Sequence, residues 1–136
     1  VTTDLDDPPA FVDVVPRRVG ASNPPEYAGP ETAAEQRRAY PDLVPIALPV
    51  PPAAALARAR DAAAAMGWEI VAVDSAAGRL EATATTRWFG FKDDVVVRVR
   101  PSGTGSRVDV RSKSRVGRSD VGANAARIRE FAGRLR

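Results

Sequence analysis

The sequence predicts an α+β domain: an antiparallel four- to five-stranded meander sheet with two helices on one face, in the order β-α-β-β-β-β-α. Three observations predict it. Between residues 68 and 114, four strand-like segments are joined by short turns. Apolar residues spaced three or four apart, as in helices, occur before and after these segments. The chain has 136 residues, which suits one domain.

An extended proline-rich N-terminal arm precedes the domain in this interpretation. Eleven of the twelve prolines lie at or before Pro52, so residues 1–42 cannot form a long helix or a central strand. Apolar anchors such as Phe11 are more than a disordered linker usually carries. We predict that this arm, with one helical turn at Glu31–Arg38, packs on a single domain formed by residues 43–136.

The domain begins with a strand and a helix. Leu43–Val50 is apolar but contains prolines, which predicts an edge strand. Pro51 and Pro52 then open a helix, where proline is tolerated in the first turn. Its apolar face contains Leu56, Ala59, Ala63 and Met66. Gly67 is a typical helix stop.

Four further strands and a second helix follow. The strands are predicted at Trp68–Asp74, Arg79–Thr86, Asp94–Arg100 and Arg107–Ser114. Valines alternate with polar residues in the last two, so we expect one covered face and one wet face. Pro101–Gly105 predicts a five-residue hairpin loop, and Trp68 is assigned to the core. The second helix starts near Ser119 or Asp120, either of which can cap it.

Composition excludes several kinds of chemistry. The chain contains no cysteine and no histidine, so disulfides, thiolate sites and histidine-dependent triads are absent. The commonest metal ligand and general base are missing as well. We therefore assign no catalytic residue, no metal and no cofactor.

The net charge of +3 is unevenly distributed. Residues 1–42 carry a net charge of −4, residues 43–97 carry −1 and residues 98–136 carry +8. A basic C-terminal third can attract anions, lipid head groups or nucleic acid. It can equally attract the acidic arm of the same chain, and the sequence leaves both interpretations open.

Aromatic residues concentrate in one loop, between the second and third strands of the meander. Trp88, Phe89 and Phe91 surround Gly90 there. Such a loop can line a ligand pocket. Alternatively, the three rings close the open end of the core between sheet and helices.

Two adjacent acids, Asp93 and Asp94, follow this loop. Neighbours in a strand point to opposite faces, so the pair is poorly placed to act as one catalytic unit. We expect one of them to order the loop and the other to pair with Arg111 or Lys113 across the hairpin.

The segment 111–120 is the richest in candidate ligand-binding groups. Those groups are Arg111, Ser112, Lys113, Ser114, Arg115 and Arg118. They lead into a helix start, where free backbone N–H groups favour anions. The alternative is internal pairing with Asp93, Asp94 or the arm. We expect Asp120 to compensate the local positive charge, and Asn124 and Arg127 to hold the preceding loop by hydrogen bonds.

Two segments resemble a known bacterial family. Residues 88–99 read WFGFKDDVVVRV and residues 108–128 read VDVRSKSRVGRSDVGANAARI. They resemble the family called domain of unknown function 1499, over about residues 43–136, and the arm beginning at Thr2 is similar too. Val121 departs mildly from the leucine common there. Members often carry membrane segments or lipoprotein signals, so the resemblance implies the soluble, extracytoplasmic part of a membrane-anchored envelope protein. A cytoplasmic location stays open.

Three functions are compatible with these features. The first is a non-enzymatic envelope binding or scaffold domain, whose unidentified partner would be an anionic lipid, a small anion or an envelope protein. The second is an enzyme using carboxylates or a serine on an anionic substrate, although Ser112 and Ser114 point away from Lys113 in a strand. The third, nucleic-acid binding, is disfavoured because no aromatic stacking surface is interleaved with the cations.

Overall fold

The computed structural model describes residues 1–14, 36, 38–85, 92–115 and 121–136. The elements are β1 (Ile46–Leu48), α1 (Pro52–Ala65), β2 (Glu69–Asp74), β3 (Arg79–Thr85), β4 (Lys92–Ser102), β5 (Gly105–Ser114) and α2 (Val121–Leu135). The five strands form one antiparallel sheet in the order β1-β5-β4-β3-β2. The predicted α+β class and the predicted element order are both confirmed.

Helix α1 forms as its composition predicts. Pro52 occupies its first turn, and alanines, which have the highest helix propensity, fill most of its interior. Its buried side chains are Ala55, Leu56, Ala59, Ala62 and Ala63. Gly67 follows the helix with φ of 76°, a left-handed conformation that glycine adopts without steric cost.

The hairpin between β4 and β5 is tighter than predicted. Ser102 pairs with Gly105, so only Gly103 and Thr104 form the turn instead of the five residues expected. Gly103 has φ of 59°, as two-residue turns of twisted hairpins require. Both strands are therefore longer than their valines alone indicated, and their arginines at positions 100 and 107 are brought into register.

The main core lies between the two helices and one side of the sheet, which we call the helix face. It contains valines 95, 97, 99, 108 and 110 from β4 and β5, together with Ile128, Phe131 and Leu135 from α2. Trp68 is buried and stacks on Phe131 with 5.1 Å between ring centroids, which confirms its assignment to the core. Neither helix in the described parts of the chain has the length and apolar character needed to cross a membrane.

The opposite side of the sheet was expected to be wet, and this expectation is wrong. Residues 1–14, the described beginning of the predicted arm, cover much of it. We call this side the arm face, and from here on the arm means residues 1–14. Thr2 forms a β-bridge with Arg111, and Phe11 and Val14 pack on Val96. Alternation shows that two faces differ in polarity, but a polar face can be covered by a polar segment.

Candidate functional site

The two adjacent acids at the start of β4 organise one end of the sheet. Asp93 lies on the helix face and Asp94 on the arm face, as expected for neighbours in a strand. Both side chains are almost completely buried. A buried carboxylate needs charged or hydrogen-bonding partners, and each of these aspartates pairs with a different arginine.

Asp94 holds the end of β5 from the arm face. Arg115 donates to it through Nε and Nη2, with its closest contact 2.9 Å from Oδ1. Thr83 on β3 donates its hydroxyl to Oδ1 at 3.0 Å. The predicted contact between one of the aspartates and the basic segment is therefore present, and Arg115 is one partner that makes it.

Asp93 holds α2 from the helix face. Arg127 Nη1 lies 2.8 Å from Asp93 Oδ2, and the same Nη1 donates to Ser112 Oγ and to Asn124 Oδ1. Ser112 donates to Asn124 Oδ1 at 2.6 Å, and Asn124 Nδ2 donates to Ser114 Oγ at 3.1 Å. We call these five residues the sheet-end network. Asn124 and Arg127 were expected to hold the loop that precedes α2; their described contacts are instead with the end of β5 and with Asp93.

The described contacts of the sheet-end network tie α2 to the strands. Ser112 is fully buried, and among the described residues its hydroxyl donates a hydrogen bond to an amide oxygen, which is not a base. Lys113 lies on the other side of β5. Among the described residues, no three acidic side chains come close enough to bind a metal ion.

A cleft of about 500 Å³, here called the sheet-end cleft, lies beside this network. It is formed where α1 ends, β2 begins, β3 ends and α2 begins. Its described lining residues are Met66, Gly67, Trp68, Ala84, Thr85, Ala123, Ala126, Arg127 and Glu130. One wall is mostly apolar, and Arg127 and Glu130 provide charge at the other.

Several residues singled out from the sequence lie outside the described parts of the chain. They are Trp88, Phe89, Phe91, Arg118 and Asp120. Their expected roles as pocket lining, anion ligand and compensating acid stay predictions. In the sequence, the aromatic segment follows Thr85 and the basic segment precedes α2.

Arg111 lies far from any open surface. It is buried beneath the arm, donates to the Pro9 carbonyl at 3.2 Å and lies 4.8 Å from the centre of the Phe11 ring. The arm therefore occupies the surroundings of this guanidinium. A ligand at Arg111 would need the arm to move.

The arm face contains a second charged region that sequence reasoning missed. Asp4 accepts hydrogen bonds from Arg98 at 2.7 Å and from Arg107 at 3.0 Å. Burial raises the pKa of Asp4, but hydrogen bonds from the backbone of Asp7 and Asp6 and from Arg98 outweigh it, so the pKa is below its usual value. The opposite charges of arm and C-terminal third were the available signal, but they could not identify the pairs.

Glu81 anchors the far end of the arm. Its fully buried carboxylate accepts the backbone N–H groups of Val12 and Asp13, each at 2.6 Å. Burial raises the pKa of this carboxyl above the ordinary 4.5, and the nearby Asp13 carboxyl raises it further, although the two N–H groups oppose this. Arg79 approaches only to 3.6 Å.

The chain belongs to the family described as "Protein of unknown function (DUF1499)", whose profile matches residues 1–135. This confirms the membership indicated by segments 88–99 and 108–128, and it includes the arm as part of the family's sequence. A search among curated proteins found no significant match. The family description names no activity, ligand or partner.

Proposed function

We propose that this chain is a non-enzymatic binding domain of the cell envelope that holds an anionic amphiphile in the sheet-end cleft. The observation that carries the proposal is the cleft itself, which joins an apolar wall to a guanidinium. Its volume of about 500 Å³ lies within the range of small-molecule sites. The envelope location rests on the family resemblance alone.

The apolar wall suits an alkyl chain. Met66 and Trp68 form one side, and the small side chains of Ala84, Ala123 and Ala126 leave the space open. Burying an alkyl chain there contributes roughly 0.8 kcal/mol for each CH₂ group removed from water. Small residues on the first turns of α2 thus create room that larger apolar residues would have filled.

Arg127 on the charged wall offers N–H donors to an acidic head group, and the Glu130 side chain on the same wall is 60% exposed and can turn into solvent. Arg127 lines the cleft with a side chain that is only 12% exposed, held in place by Asp93. The described first turn of helix α2 contains no acidic residue, and the N–H groups at a helix start favour anions. The cations at positions 115 and 118 precede this helix start in the sequence.

Binding is favoured over catalysis by how the polar groups are used. Asp93 and Asp94 are each engaged by an arginine. The Ser112 hydroxyl is committed to Asn124. These groups fix the geometry of the sheet end and leave the adjacent cleft as the place for a ligand.

The proposal can be tested by calorimetric titration of the full chain with three probes. Dodecyl phosphate carries both features, dodecyl maltoside only the chain, and inorganic phosphate only the head; the detergents are kept below their micelle concentrations. We expect dodecyl phosphate to bind in the sheet-end cleft at least about tenfold more tightly than the maltoside, because a charge-assisted hydrogen bond is lost without the phosphate.

Matched variants locate the site. Ala126→Trp fills the cleft from an exposed helix position, whereas Ala57→Trp adds the same ring to an exposed position on α1 outside the cleft. The part of dodecyl phosphate binding that exceeds the binding of inorganic phosphate should be lost in the first variant and retained in the second. Equal binding by both variants, or no saturable binding by the natural chain, would contradict the proposal. Release of inorganic phosphate during the titration would favour the enzymatic alternative instead.

A further inference from the structure

The arm face places like charges side by side. Arg79 on β3 is directly opposite Arg98 on β4, and Arg100 on β4 is directly opposite Arg107 on β5. Like charges directly opposite each other destabilise a sheet. Four arginines in two such pairs therefore need anionic partners in order to share this surface.

The arm supplies part of that compensation, and Asp109 on β5 lies 2.8 Å from Arg107 and 3.4 Å from Arg98. Asp4 contacts Arg98 and Arg107 closely, but Asp7 approaches Arg100 only to 3.5 Å. Arg79 comes no closer than 3.5 Å to any carboxylate among the described residues. The buried Nε atoms of Arg79 and Arg98 have no hydrogen-bond acceptor in the described parts of the chain. A buried donor without an acceptor is costly, so these atoms mark a missing acceptor.

A cleft lies at this position. It has a volume of about 290 Å³ and separates the arm from the sheet, and we call it the arm cleft. Arg79, Arg98 and Arg100 all line it. The single carboxylate among its described lining residues is Asp7, whose side chain is 70% exposed and can turn into solvent. The acids that surround Arg79 lie outside this lining.

We infer that the arm cleft binds a small tetrahedral oxyanion of the phosphate or sulfate type, held by Arg79, Arg98 and Arg100. Guanidinium groups present several N–H donors in a fixed plane, which matches oxyanions better than single-atom anions. The bound anion accepts from the guanidinium N–H groups that face the cleft and offsets the repulsion between Arg79 and Arg98. This site is independent of the sheet-end cleft.

Arg100 is the residue to change first. Its side chain is 54% exposed and its described contacts with Asp7 are long, so Arg100→Gln removes a cation from the cleft with little effect on folding. Asp7→Asn removes a negative charge from the same cleft, so it should raise the affinity for an anion where Arg100→Gln lowers it. A purely structural role of the cluster would not change anion affinity in opposite directions.

The test is a calorimetric titration of the full chain with inorganic phosphate at constant, low ionic strength. We expect saturable binding at one site, weakened at least about tenfold in Arg100→Gln and tightened in Asp7→Asn. Arg134→Gln, which removes an exposed cation on α2, and Ala126→Trp, which fills the other cleft, should bind as the natural chain does.

Glycerol 3-phosphate distinguishes two sources of the same anion. Binding equal to that of phosphate supports a site that accepts a phosphate ester such as a head group, whereas binding of phosphate alone supports a site for the free anion. No saturable phosphate binding, unchanged affinity in Arg100→Gln, or weaker affinity in Asp7→Asn would each overturn the inference.

Discussion

The two faces of the sheet are covered by different means. The helix face is buried by two helices through valine, leucine, isoleucine and aromatic side chains. The arm face is buried by an irregular segment through aspartates, arginines, a glutamate and a small apolar cluster around Phe11, Val14 and Val96. Apolar burial is non-directional and is not screened by ionic strength, whereas ion pairs depend on geometry, pH and ionic strength.

This difference teaches that one sheet can combine two kinds of cohesion. Helices α1 and α2 and their face of the sheet form the larger core, which we expect to set the free energy of unfolding. The arm is held by specific polar anchors at Thr3, Asp4 and Glu81. We therefore expect arm attachment, but not the core, to respond to solution conditions.

Removing a ring from the helix face should have the largest effect. Phe131 is fully buried and stacks on Trp68, so Phe131→Ala leaves a cavity and should lower the free energy of unfolding by about 3–5 kcal/mol. Urea denaturation at low and high salt measures this loss. The comparison of faces predicts nearly the same loss at both, and a strongly salt-dependent loss would break it.

Asp109 tests the arm face with a smaller expected effect. It is buried, accepts the Thr3 hydroxyl at 2.8 Å and pairs with Arg107 at 2.8 Å. Asp109→Asn should lower the free energy of unfolding by about 1–3 kcal/mol. We expect the lower end of this range, because Arg107 is 43% exposed and solvent weakens its ion pair with Asp109. The loss should shrink in high salt. A loss that is independent of salt would show that packing, rather than charge, holds this face.

Glu81, which anchors the arm, should make the stability of the arm face depend on pH. Its folded-state pKa is raised, so between 4.5 and that raised pKa the folded chain binds more protons than the unfolded chain. The contribution of Glu81 to stability is therefore full below 4.5 and declines as pH rises through the folded pKa.

The variant Glu81→Gln removes this titration. It should destabilise the folded chain, since an NH₂ group replaces one of the two oxygens that accept the arm N–H groups. This deficit relative to the natural chain should shrink as pH rises, because the contribution of Glu81 in the natural chain declines. Denaturation of both proteins across the acidic range measures the difference. Parallel stability curves would show that Glu81 keeps an ordinary pKa when the arm is bound.

The smallest effect is expected at an exposed pair outside both faces. Arg129 donates to Asp42 at 2.6 and 2.8 Å, and both side chains are about half exposed. Solvent screening makes such pairs weak. Asp42→Ala should leave the melting temperature unchanged within error. A clear decrease would mean that the start of the domain depends on surface charge more than the two-face comparison allows.

Much of the fold could be predicted because its signals are local. Proline and glycine positions delimit α1, apolar spacing defines the stripe of α2, and alternating valines define β4 and β5. Trp68 could be placed in the core because it follows the helix stop and begins a strand that faces the helices. The opposed directions of Asp93 and Asp94 follow from the two-residue period of a strand.

Only the tertiary structure decided what covers the polar face and which charges meet. The sequence shows an acidic arm and a basic C-terminal third, yet Arg98 meets Asp4 across 94 residues of chain, and Arg115 meets Asp94. Such pairings depend on strand register, on the two-residue turn at Gly103 and on the path of an arm without periodic structure. Local patterns determine which way a side chain points, because they arise from backbone geometry. They do not determine its partner, because long charged side chains pair with whatever the assembled chain brings within a few ångströms.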